Sequence, residues 1–165
     1  MKTPFAVVTF FEADKSVSLD KGIDYDQLQK FIDWLIPTKN IFYAIRIDGD
    51  FKYVKTRSVP RQSKPYPPLV EVVKTQPIFE FHDVKGTMIG FRTPDYMKGV
   101  NVPGYHLHFI TEDRKAGGHL LECTLKDVKI DLDYTSELFM VLPQGSFFKA
   151  DLSKEQHKEL EKVEK

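Results

Sequence analysis

The chain has a single cysteine, which excludes an intrachain disulfide framework; Cys123, among Leu120, Leu121 and Leu125, is expected to be a buried thiol rather than a nucleophile. It has no excess of either charge. Twenty-four basic residues balance 24 acidic ones, so no global field argues for nucleic acid or an anionic membrane as partner. No apolar run reaches bilayer length, and residues 1 to 11 lack the extended apolar core and cleavage pattern of a signal peptide, so a soluble, cytoplasmic chain is expected. Internal repeats, low-complexity tracts and dividing linkers are also missing. What remains, 165 residues that are 41% hydrophobic and 13% aromatic, suffices for one domain spanning residues 1–165 with a substantial core.

Three of the five histidines fall in one short stretch, from His106 through His108 to His119. Tyr105 to Thr111 is rich in aromatic and β-branched residues, and side chains alternate faces along a strand, so His106 and His108 point the same way while Leu107 points to the other layer. The polar run from Thr111 to Gly118 has turn composition, and its glycines tolerate positive φ, so the chain can return antiparallel from Gly118. If His119 then lies opposite His108, all three imidazoles converge on one face. Three neutral imidazoles with an open fourth position are what catalytic zinc requires. His82 and His157 have no such geometry and are read as ordinary polar residues.

Along the rest of the chain, Pro4 to Phe11 reads as a strand too apolar for an exposed edge. Asp24 to Ile36 reads as a helix: Leu28, Phe31, Ile32 and Leu35 form one stripe, Asp24 is the N-cap with Gln27 three residues on, and Pro37 stops it. Ile41 to Asp48 and Phe51 to Val59 read as a hairpin turning through Asp48-Gly49-Asp50, and Pro60 to Pro68 as an ordered loop over the sheet. Further strands are expected at 69–74, 78–81, 86–93, 105–110, 119–125, 128–133 and 137–142. The fold class is therefore α+β: a mainly antiparallel sheet, barrel-like or highly curved, with one packed helix. A charge-rich tail follows, with a capping-box start at Ser153 and Gln156 but too few apolar residues to bury a full face.

The residues carry more than their spacing. Gly86-Thr-Met-Ile-Gly-Phe-Arg-Thr-Pro-Asp-Tyr96, continued by Gly99 to Phe109, by Thr111-Glu-Asp113 and by Gly117-Gly118-His119, closely resembles the core block of the acetolactate decarboxylases. Lys2 to Val7, Asn40 to Ile45, Val54 to Pro60 and Pro65-Tyr-Pro67 resemble the same family in the same order, so the likeness covers essentially the whole chain. The resemblance implies conversion of 2-acetolactate to acetoin and carbon dioxide by a zinc enzyme, without an organic cofactor. It makes His106, His108 and His119 the zinc ligands and Arg57 the active-site arginine, a residue whose composition and spacing alone would suggest only an outward side chain on a strand. It also implies that the tail at 150–165 folds back to the metal, bringing Glu164 as a further ligand or a proton donor, and that a homodimer is possible. The family's chains begin upstream of the segment resembling Lys2 to Val7, in a β-rich region that supplies a further acidic residue and would carry any signal peptide. Against that region the chain reads as truncated. Two other readings stay open: a cupin-like metal protein using His106, His108 and Glu112, and an inactive fragment that binds zinc or pairs with another chain through an uncovered sheet edge.

Overall fold

A computed structural model of the chain describes residues 6–63, 65, 67 and 69–141. Five strands and one three-turn helix dominate it: β1 (Lys15–Leu19), α1 (Tyr25–Leu35), β2 (Phe42–Arg57), a single turn α2 (Leu69–Val72) continued by a 3-10 turn (Val73–Thr75), β3 (Ile78–Thr93), a second 3-10 turn (Asp95–Met97), β4 (Gly104–Thr111) and β5 (Gly117–Thr135). Every strand pairing is antiparallel, in the order β1-β5-β2-β3-β4. A further pairing of β4 with β5 closes the sheet on itself into a strongly curved ring. The expected α+β class, mainly antiparallel with one packed helix, is what the chain adopts. No helix among the described residues is long and apolar enough to cross a membrane.

The helix forms where its local signals place it. The Asp24 side chain accepts the Gln27 N–H at 2.8 Å and the Gln27 side chain accepts the Asp24 N–H at 3.0 Å, a complete capping box. Leu28, Ile32 and Leu35 are buried from its inner stripe, and Phe31 packs half-buried against the same cluster. They meet Tyr43, Ile45 and Ile47 of β2, Leu107 of β4 and Ile130 and Leu132 of β5. Burial of each large aliphatic side chain of that stripe is worth about 1.5–3 kcal/mol relative to leaving it in water.

The strands depart from the sequence reading in one systematic way. Asp48-Gly49-Asp50 makes no hairpin turn: β2 runs through it, with Gly49 paired to Gly86 of β3 on one side and to Val128 of β5 on the other. A Cβ on Gly49 would stand 2.2 Å from the Asp127 carbonyl oxygen, so the glycine permits close approach of neighbouring strands where the sheet bends. The runs 78–81 and 86–93 are likewise one strand, as are 119–125 and 128–133, because the polar residues between them sit in the ladder, where register shifts near Asp50, Phe51 and Lys55 bend it.

Three other expectations are corrected. The described part of the Pro4 to Phe11 run, Ala6 to Phe11, is not a strand, and Val8 and Phe10 are exposed. The chain is instead drawn onto the sheet further along, where Asp14 N–H donates to the Leu132 carbonyl and Glu12 N–H to the Asp133 carboxylate, ahead of β1. Residues 69–75 are helical turns, in which Val72 is buried and Lys74 pairs with Glu71 at 2.8 Å. Residues 137–141 form no strand and are exposed, and among the described residues no strand pairs with them. The Ser153 helix start, His157 and Glu164 lie outside the described residues.

Candidate metal centre

Strand β4 alternates as its sequence demands. Leu107 and Phe109 are buried in the core, and His106 and His108 emerge on the opposite face. The turn from Thr111 to Ala116 is closed by Thr111 N–H donating to the Ala116 carbonyl, with Arg114 taking φ of 57° and the Asp113 carboxylate accepting from the Thr111 hydroxyl and the Lys115 N–H. The return strand begins with two glycines. A Cβ on Gly117 would stand 2.2 Å from the Phe109 carbonyl oxygen, and one on Gly118 2.4 Å from that of Arg57, so both positions hold β5 tightly between β4 and β2.

In this register His108 pairs with His119, and His119 pairs on its other side with Arg57. The imidazoles of His106, His108 and His119 each offer a nitrogen, all within 4.8 Å of one another, and the Nε2 atoms of His106 and His108 are 3.0 Å apart. Ring centroids lie 4.7 to 5.3 Å apart. His106 and His119 are half-buried, and His108 is exposed. Burial, and then the Arg57 charge, hold His106 below the ordinary histidine range. His119 is pushed down to about 3 by burial first and then by the proximity of His106, Arg57 and His108. Neutral imidazole is the form that binds a metal ion, so the electrostatics and the donor set both fit zinc or a similar divalent ion.

The other sequence-derived candidates separate clearly. Glu112 is not in the cluster; it is an exposed residue paired with Lys85 at 3.7 Å. His82 lies against Tyr53 in a tilted ring contact, with centroids 5.2 Å apart. Cys123 is buried, and burial pushes its thiol up to about 12, as suits an inert core residue. What the sequence reading missed is the wall beside the histidines. Phe91 pairs with His106 and Ile89 with His108 across the β3–β4 ladder, and together with Val7 and Phe11 they line a cleft of about 460 Å³ that both histidines enter. Only the register across two strands reveals these neighbours.

The fold and this cluster define a class, an antiparallel β ring bearing a three-histidine metal-type centre on its outer face. The alpha-acetolactate decarboxylase family profile matches residues 1–154, and the chain belongs to that family. It is 54% identical to the alpha-acetolactate decarboxylase of Methanosarcina mazei over 99% of its own length and 57% of that protein's, and 46% identical to that of Bacillus subtilis over 92% of its length and 60% of the relative's. The crystal structure of acetolactate decarboxylase from Bacillus subtilis subspecies spizizenii superposes with a TM-score of 0.91 at 44% identity, covering 95% of this chain and 68% of that one. The chain thus spans about three-fifths of the length of these curated relatives.

Proposed function

We propose that the chain decarboxylates 2-acetolactate to acetoin and carbon dioxide, with zinc held by His106, His108 and His119 and with Arg57 beside them. The observation that carries this reading is the convergence of three imidazoles, two of them, His106 and His119, held below the ordinary histidine range, in a member of a family whose named relatives are acetolactate decarboxylases. The substrate is a β-keto acid with a neighbouring hydroxyl. When its C1–C2 bond breaks, carbon dioxide leaves, the bonding pair forms a C2–C3 double bond, and the carbonyl pair moves onto the ketone oxygen; one proton then returns to carbon to give acetoin.

When bound, zinc supplies a Lewis acid that offsets the charge gathering on oxygen, worth several kcal/mol in metal catalysis generally. Arg57, permanently protonated, orients the substrate carboxylate or the developing oxyanion through charge-assisted hydrogen bonds worth about 1.5–3 kcal/mol each. Ile89 and Phe91 line the cleft beside His106 and His108 with apolar surface, and an apolar surround strengthens charge interactions with a bound substrate. Glu164 either completes the metal's coordination or delivers the proton that sets the hand of acetoin.

Metal content of single variants separates this reading from the cupin-like one: His119→Ala loses the ion here, whereas the cupin arrangement needs Glu112. Product chirality tests the proton donor, since lost stereoselectivity in only one of Arg57→Lys and Glu164→Gln identifies it, and unchanged chirality in both defeats both assignments. A second reading, a zinc-binding chain that pairs with another chain, is favoured by the exposure of Val8, Phe10 and Phe139. Sedimentation that shows a dilute monomer counts against it.

A further inference from the structure

The three histidines are not held equally. Strand β4 pairs with β5 only from His108 to Ile110, so His108 and His119 lie where strands are bonded on both sides. His106 lies beyond the end of that ladder and, among the described residues, its strand neighbour is β3, through Phe91. A strand end held on one side frays readily.

On the face opposite His106, the preceding residue is anchored. The Tyr105 hydroxyl lies 2.8 Å from Asp33 Oδ1 and 3.1 Å from the Gln29 carbonyl oxygen, both on α1. The same Asp33 oxygen accepts from Arg92 Nε at 3.0 Å; Arg92 is buried, pairs with Tyr105 across the ladder, and donates also to the Lys39 carbonyl at 3.2 Å. Helix, β3 and β4 are thus tied together one residue from His106. We propose that Tyr105 is a positioning residue that holds His106 in the ligand set through its bond to Asp33. It acts through the backbone of β4, and the inference rests on the zinc reading above.

The test is a double-mutant cycle in zinc affinity, measured by competition with a chromophoric chelator on the whole chain. Tyr105→Phe is expected to weaken zinc binding about tenfold or more, the loss typical of outer groups that orient a ligand. In a His106→Ala background it is expected to change nothing further. An unchanged affinity, or an equal loss in the His106→Ala background, overturns the inference. Should Tyr105→Phe fold poorly, Asp33→Asn, which keeps an acceptor but loses its charge, shows a smaller loss in the same pattern. In the metal-free chain, NMR relaxation reads the same role independently: Tyr105→Phe raises motion of the His106 ring but not of His119. That result stands even if zinc does not bind, in which case only the metal reading fails; unchanged His106 motion refutes the positioning role.

Discussion

Gly118→Ala should damage the metal centre without touching a ligand. At Gly118 an added methyl meets the Arg57 carbonyl oxygen at 2.4 Å and the Arg57 carbonyl carbon at 3.1 Å, both backbone atoms of a strand bonded on two sides. Side-chain Cβ atoms essentially never approach closer than 3.0 Å, so β5 and β2 must separate by about 0.6 Å at the residue before His119. Zinc–nitrogen bonds tolerate only about 0.2 Å. The displacement also spreads into the pairs His108 with His119 and His119 with Arg57. Overpacking of this kind costs about 1–3 kcal/mol of stability. Urea unfolding of the metal-free chain should therefore show that loss, and chelator competition a fall in zinc affinity. Gly22→Ala is the matched control, because its Cβ meets only the Leu125 oxygen, at an ordinary 3.5 Å. Wild-type zinc affinity and stability in Gly118→Ala would refute the reasoning that close strand approach at this glycine sets the geometry of the centre.

Three further outcomes are expected. His119 is held down from 6.5 to about 3, so the unfolded chain binds more protons than the folded one between those values; the metal-free protein should lose stability as pH falls through this window, and His119→Gln should flatten urea midpoints measured between pH 7.5 and 5. Leu28→Ala, at a fully buried position on the inner stripe of α1, should cost about 2–5 kcal/mol, measured from the unfolding midpoint by Trp34 fluorescence. Cys123, buried and with its thiol pushed up to about 12, should react with an aromatic disulfide reagent only after denaturant is added, which a simple absorbance time course checks.

The histidine cluster was legible in the sequence because every step that builds it is local: alternation along β4, a short polar turn, and a return strand starting at two glycines. The helix was legible for the same reason, since its cap, stripe and stop lie within a few residues. The strands were misread where a local signal had a non-local cause. Asp48-Gly49-Asp50 has the composition of a turn, but the glycine serves a bend shared with β3 and β5, which no window along one strand can display. The Ala6 to Phe11 segment misled because hydrophobicity alone cannot say whether a neighbouring strand exists to receive it. Arg57 and the apolar wall reach the histidines only through cross-strand register, so the arginine was visible through family likeness and the wall not at all.

The most direct test of the central claim is to titrate zinc into the metal-free chain and follow acetoin release from 2-acetolactate, beside a His108→Ala variant. Activity should rise with zinc, saturate at one ion per chain and be lost in His108→Ala. Turnover indifferent to zinc, or preserved in His108→Ala, would contradict that claim.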